Sequence, residues 1–107
     1  MKRHSLGEFE QLVLLACLRL GNNAYPVSVI REIEARTNRK PSHAAVYIAL
    51  RRLEDRGLVQ SELGSPTPER GGRPKRYFRL EAEAVTLLED YRTALLSMWE
   101  GLTPTGK

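Results

Sequence analysis

The sequence predicts a mainly α-helical chain with one small β-hairpin, arranged as a winged helix-turn-helix followed by a C-terminal dimerisation helix. Three observations lead there. Ser42, Val46, Tyr47, Leu50 and Leu53 recur at helical spacing and stop at Gly57. Two short strand-like runs, 58–63 and 75–80, follow directly and enclose a loop rich in Gly, Pro and Arg. Charge is concentrated in the same stretch: residues 39–79 hold ten Lys and Arg against four acids, whereas residues 81–100 hold five acids and only Arg92. A capped helix leading straight into a basic hairpin is the outline in which the helix enters the DNA major groove and the hairpin lies along the backbone.

Ser5 followed three residues later by Glu8 predicts a capping box, whose hydroxyl and carboxylate satisfy orphan backbone donors at the start of a first helix running to about residue 20. Phe9, Leu12, Val13, Ala16 and Leu20 form one apolar stripe, and Leu14, Leu15 and Leu18 fall on the other side. A helix apolar nearly all round is covered on two faces, so it should lie between the rest of the domain and a second element. Gly21, Asn22 and Asn23 break the pattern, and Pro26 suits the first position of a second helix carrying Val27, Ile30 and Ile33 to about Thr37. The polar link 38–41 is the expected turn, Ser42 caps the third helix, and Gly57 supplies its left-handed stop. Val59, Tyr77 and Phe78 give the two strands their β-propensity. From about 81 to 101 a final helix repeats Ala84, Leu88, Tyr91, Leu95, Met98 and Leu102 at spacings of four and three, the seam of a helix packed along another helix. The expected organisation is 1–80 for the winged helix-turn-helix, 81–102 for the dimerisation helix and 103–107 for a loose tail.

At 107 residues and a net charge of +4 the chain fits one domain with an anionic partner. Cys17 is the only cysteine, so no intrachain disulfide forms, and its apolar surroundings predict a small buried hydrophobe. The longest apolar run, 12–18, is too short to span a bilayer and no signal-peptide cleavage pattern follows it. The expected compartment is the cytoplasm, without a membrane partner.

On a helical wheel Val46, Leu50 and Leu53 take the core side of the third helix, while Ala44, Ala45, Ile48, Arg52, Asp55 and Arg56 face outward. Small Ala44 and Ala45 allow close approach to base edges, and an exposed Ile48 suits thymine methyls. Tyr47 and Arg51 flank that face within reach of phosphate. Arg70, Arg73, Lys75 and Arg76 surround Gly71, Gly72 and Pro74, a charged tip of little bulk suited to phosphates beside a groove. Double-stranded DNA is the partner this pattern fits. The apolar first and last helices predict a homodimer, with Leu88, Tyr91, Leu95, Met98, Trp99 and Leu102 at its interface.

The runs Leu6-Gly7-Glu8-Phe9-Glu10, Ala45-Val46-Tyr47 through Leu50, Arg52-Leu53-Glu54, Gly57-Leu58-Val59, and Pro68-Glu69-Arg70-Gly71-Gly72-Arg73 ending in Lys75-Arg76-Tyr77-Phe78-Arg79-Leu80 resemble the PadR family of bacterial transcriptional regulators. The resemblance covers about residues 5–100. It implies a homodimeric winged-helix repressor, working without a cofactor, whose C-terminal helix makes much of the dimer contact. It further implies that Tyr47, Arg52, Lys75 and Arg76 lie near the DNA backbone and that Ser42, His43, Ala44 and Ala45 open the recognition helix. The family often has Gly where Ala44 stands and commonly lengthens its C-terminal region; the single helix here resembles the shorter subgroup. Some members accept hydrophobic or phenolic molecules near the dimer interface, which makes Trp99 and Leu96 candidates for an effector site.

Enzymatic readings are weak. Residues 101–107 match most of a P-loop, yet no strand precedes them. His4, His43 and Cys17 have no zinc-ligand spacing, and Ser42 beside His43 is no triad, since adjacent helix residues do not face each other. The remaining alternative is a small helical dimer that uses its basic face as a protein-interaction module. It is disfavoured because the charge coincides with the helix and hairpin.

Overall fold

The computed structural model describes residues 5–64 and 74–103. Helix α1 (Glu8–Leu20) passes through a 3-10 turn (Gly21–Asn23) into α2 (Pro26–Thr37) and α3 (His43–Asp55). Strands β1 (Val59–Leu63) and β2 (Arg76–Leu80) pair antiparallel with Val59 opposite Leu80 and Leu63 opposite Arg76, and α4 (Ala82–Trp99) follows. The fold is therefore mainly helical with one two-stranded hairpin, as the hydrophobic periodicity predicts.

The helix starts follow from where backbone donors find partners. The cap of α1 lies two residues later than the predicted Ser5–Glu8 box: Gly7 is the extended cap and its N–H donates to Glu10 Oε1 at 3.0 Å. Segment 5–7 is committed elsewhere. The N–H of buried Leu6 donates to the Tyr91 phenol oxygen at 2.9 Å, and the Ser5 carbonyl accepts from Arg56 Nη2 at 2.6 Å. At α2, Pro26 fills the first helical position, where a missing N–H costs nothing, and the Ser28 hydroxyl accepts from the Tyr25 N–H and donates to the Asn23 carbonyl. Ser42 Oγ accepts from the Ala45 N–H at 3.0 Å and so caps α3. Gly57, at φ +77°, turns the chain out of α3 in a conformation that side chains resist, and the Leu58 N–H returns to the Leu53 carbonyl at 2.9 Å.

One core joins every element. Val13 and Leu14 of α1, Val29 and Ile33 of α2, and Val46, Leu50 and Leu53 of α3 meet Leu58, Val59 and Phe78 of the hairpin and Ala84 and Leu88 of α4. Phe78 is the largest fully buried side chain, and its N–H donates to the Ala24 carbonyl at 2.8 Å, which ties the free edge of β2 to the turn before α2. Arg19 of α1 and Arg36 of α2 both bond Glu32 Oε2, at 2.8 and 3.0 Å, and these two guanidinium groups hold the Glu32 carboxyl below its usual range.

Two expectations about packing are revised. Helix α1 is not covered on both faces, because only the first half of α4 lies against the core; Leu15 and Leu18 remain 41% and 48% exposed. The α4 seam divides accordingly. Ala84 and Leu88 are buried in their own chain and Tyr91 is bonded to Leu6, whereas Leu95, Met98 and Leu102 are more than half exposed.

Cys17 is buried, and burial pushes its thiol up to about 12 from an ordinary 9.0. A thiol whose folded pKa exceeds its unfolded one stabilises fully below the unfolded value and loses that contribution as pH rises through the interval. Wild type should therefore lose stability relative to Cys17→Ala between pH 9.0 and about 12, measured by urea titration at several pH values. Native protein at pH 8 should also resist thiol reagents until urea unfolds it; rapid native labelling would contradict the burial.

Candidate nucleic-acid interface

The inward face of α3 decides what its outward face can present. Val46, Ala49, Leu50 and Leu53 are all buried, which leaves Ala44, Ala45, Ile48 and Arg52 pointing away from the core. Ile48 is 51% exposed. His43 stands at the first position of the helix, also exposed, and Ser42 spends its hydroxyl as the cap. Among the described residues Arg52 has no ion pair and is free to reach outward.

Tyr47 and Arg51 sit one turn apart on the flank of this face. Arg51 Nη1 donates to the Tyr47 phenol oxygen at 3.1 Å, its guanidinium lies 5.8 Å from the ring centre, and Arg51 Nε is 3.8 Å from Glu54 Oε1. The Tyr47 oxygen, with Glu54 and Asp55 contributing less, holds Arg51 more firmly protonated than an isolated arginine. The contact continues into the hairpin. Ser61 Oγ of β1 donates to Glu54 Oε2 at 2.7 Å and accepts from Arg76 Nη1 of β2 at 3.0 Å. Arg76 is thus half-buried and held by its neighbours rather than standing free.

Lys75 is anchored differently. Its ammonium lies 4.7 Å from the centre of the Tyr25 ring, which packs edge-on against Tyr77 at 5.5 Å. The hairpin narrows at this point. The Gly64 N–H donates to the Lys75 carbonyl at 2.7 Å, and a Cβ on Gly64 would stand 2.7 Å from Tyr77 Cε1, so only glycine lets the strands meet under that ring. Arg70 and Arg73, read from the sequence as wing-tip cations, lie outside the described residues.

Arg56 departs from the outward-facing expectation. It reaches back to α1, 3.3 Å from Glu10 Oε1 and bonded to the Ser5 carbonyl, because α1 and α3 pack against each other and the end of α3 lies beside the start of α1. Arg39, in the turn between α2 and α3, bonds Glu8 Oε2 at 2.7 Å. Sequence reasoning missed Ser61 and Tyr25 altogether. Ser61 shares the inner face of the hairpin with Phe78, its directly opposite partner, and that register was the one signal that could have flagged a polar residue there.

No group of three or more His, Cys, Asp or Glu among the described residues could hold a metal ion, and no described helix is long and apolar enough to cross a membrane. Residues 14–87 match the transcriptional regulator PadR-like family. The chain belongs to that family. It is accordingly a DNA-binding transcriptional regulator rather than an enzyme.

Solved structures share the PadR-like fold. A transcriptional regulator from Clostridium thermocellum is 18% identical with a TM-score of 0.70, covering 92% of each chain. A PadR-like transcription factor from Bacteroides fragilis is 20% identical with a TM-score of 0.70, over 86% of this chain and 84% of that one. Bordetella bronchiseptica BpsR, whose DNA binding is regulated by 6-hydroxynicotinic acid, is 21% identical with a TM-score of 0.64, over 97% and 73% of the two chains. No curated protein compared with the chain matches it.

The two faces of α3 give a direct check on this placement in the regulator. Leu50→Ala should cost about 2–5 kcal/mol of unfolding free energy, as a fully buried leucine does. Ile48→Ala should stay within about 0.5 kcal/mol of wild type, as a surface substitution does. Urea denaturation of both variants measures the contrast, and comparable losses would mean that α3 is rotated from the orientation described.

Proposed function

We propose that this PadR-like regulator acts as a homodimeric repressor, each copy laying α3 in the major groove of one operator half-site and bracing its hairpin on the adjacent backbone. The observation that carries the reading is the outward face of α3, where small or apolar Ala44, Ala45 and Ile48 lie beside Tyr47, Arg51 and Arg52, with Lys75 and Arg76 at the loop end of the hairpin. Small residues permit contact with base edges, which carry sequence information, and the cations suit phosphates, which fix register. His43 at the start of α3 and Arg70 and Arg73 between the strands complete the proposed contact set. Two-fold symmetry then matches a pseudo-palindrome with half-sites about one helical turn, roughly 34 Å, apart.

Dimer formation is supported by the apolar surface left between α1 and α4. A groove of about 520 Å³ is lined by Leu15, Leu18, Leu95, Leu96 and Trp99, with Arg92 and Glu89 at its rim. The neighbouring Met98 and Leu102 are 75% and 62% exposed. A contiguous surface of this kind favours burial against a second copy. The volume also lies in the range of small-molecule sites, and Trp99 and Leu96 would offer a flat hydrophobic or phenolic effector a stacking surface. Regulation of BpsR by 6-hydroxynicotinic acid supplies a precedent in a protein of similar fold.

Removing charge at Lys75 and Arg76 should weaken binding to every duplex and flatten the dependence of affinity on salt by about one logarithmic unit per lost phosphate contact. Replacing Ala45 or Ile48 should instead reorder affinities across a random-sequence library. Gel-shift titrations at several salt concentrations separate these outcomes, and an unchanged salt slope in the hairpin variant would remove Lys75 and Arg76 from the interface.

Sedimentation at micromolar concentration should give a dimer for wild type and a monomer for Leu95→Glu, which sets a charge in the apolar face. The emission of Trp99, the only tryptophan, should shift on dilution and on titration with phenolic acids that release DNA. Emission that stays constant on dilution would place Trp99 outside the interface, and constant emission across the acids would remove it from effector binding.

A further inference from the structure

An acid at the centre of a basic surface needs a reason. Glu54 lies on α3 between the recognition face and the hairpin, and its two oxygens serve different elements. Oε1 faces Arg51 on the same helix at 3.8 Å, while Oε2 accepts from Ser61 of β1, whose hydroxyl in turn accepts from Arg76 of β2. Arg51 is also bonded to Tyr47. The result is a chain of polar contacts, Tyr47 to Arg51 to Glu54 to Ser61 to Arg76, running from helix to hairpin beside the buried Leu50, Leu53, Leu58, Val59 and Phe78.

We propose that Glu54, working through Ser61, is a positioning residue for DNA binding: it locks the recognition helix and the hairpin into one spacing and holds Arg51 and Arg76 aimed before DNA arrives. This rests on the DNA-binding reading of α3 and the hairpin given above. The physical argument is one of pre-organisation. Arginine side chains have many rotamers, and a cation that must be immobilised on binding surrenders that freedom from its gain in affinity. A guanidinium already oriented by a hydrogen bond loses less. Ser61 suits the role because its hydroxyl donates and accepts at once, linking a carboxylate to a guanidinium that are separated by one residue's width. The carboxylate itself is a charge-assisted acceptor, stronger than a neutral amide in the same place.

The proposal makes a prediction opposite in sign to simple charge counting. Removing a negative charge beside a phosphate-binding surface should, by Coulomb attraction alone, strengthen DNA binding. If Glu54 positions the cations, Glu54→Gln should weaken it instead, by about tenfold, the scale of one hydrogen bond to a charged group. Ser61→Ala, which changes no charge, should weaken binding by a similar factor, and Glu54→Asp, keeping the charge on a shorter stem, should fall between Glu54→Gln and wild type.

The test is a set of affinity measurements with a duplex selected by wild type from a random library, using wild type, Glu54→Gln, Glu54→Asp, Ser61→Ala, Arg76→Gln and the Glu54→Gln/Arg76→Gln double variant. Thermal unfolding and sedimentation of each variant are measured alongside. Losses in Glu54→Gln and Ser61→Ala at wild-type melting temperature and oligomeric state, and a double variant whose loss falls short of the product of the two single losses, are the expected result. Glu54→Gln binding as tightly as wild type or more tightly overturns the inference, as does a double variant whose loss is the full product of the singles. Arg76→Gln without effect would overturn the hairpin assignment as well, whereas a weakened Arg76→Gln beside a neutral Glu54→Gln leaves that assignment standing and removes only the role of Glu54. Should Glu54→Gln lower the melting temperature, Ser61→Ala decides by the same criteria.

Discussion

The structure depends on how α3 is seated. Its buried stripe, Val46, Ala49, Leu50 and Leu53, is met by α1, α2 and the hairpin together. Rotating α3 by one residue, about 100°, would expose leucines, at about 2 kcal/mol each, and bury the Arg52 charge, which costs more. That penalty fixes which residues face outward. The face proposed for DNA is thus a by-product of the face given to the core, and its residues can vary freely so long as the stripe is kept.

Most of this was legible in the sequence because it rests on local signals. Pro26, Ser42 and Gly57 mark helix ends through their own backbone chemistry, and each lies at an end of α2 or α3 in the fold. The strands were recognisable because β-branched and aromatic residues lie between turn formers. What escaped was decided by contacts between distant residues. The start of α1 moved because Leu6 found Tyr91, 85 positions away, and Arg56 turned inward because Ser5 and Glu10 waited there. The apolar run of α1 predicted cover on two sides, yet periodicity carries no information about how far along it α4 extends. Within the candidate site the outward-facing residues were readable from a wheel, while the Glu54–Ser61–Arg76 bridge needed the hairpin register.

Charge is distributed with the same economy. Of the described cations on the basic side, Arg39 and Arg56 are committed to Glu8 and Glu10 of α1, and Arg51 and Arg76 are held by partners on the proposed DNA surface. Formal charge therefore overstates what is free to meet phosphate. Arg39 and Arg56 instead neutralise acids at the start of α1, where carboxylates also suit the helix dipole. An arginine count from the sequence describes the long-range field that steers a duplex inward, whereas the bonded geometry describes which guanidinium groups can change partner when it arrives.

The segment 5–11 joins the surroundings of the apolar groove to those of α3. Gln11 lines the groove and donates to the Leu6 carbonyl at 3.3 Å; Leu6 is bonded to Tyr91 of α4; Ser5 and Glu10 hold Arg56 at the end of α3. Contiguity of this kind does not by itself transmit anything. A molecule filling the groove changes DNA affinity only in proportion to how differently it binds the two arrangements of α1, α4 and α3, since equal affinity for both shifts neither population. The bonds that would have to differ are few and polar. Polar contacts are direction-sensitive where apolar packing is tolerant, so a small rotation of α4 at Tyr91 would strain the Leu6 bond before it disturbed Ala84 or Leu88. In a domain with so small a core, control exerted there costs less stability than control exerted through the core itself.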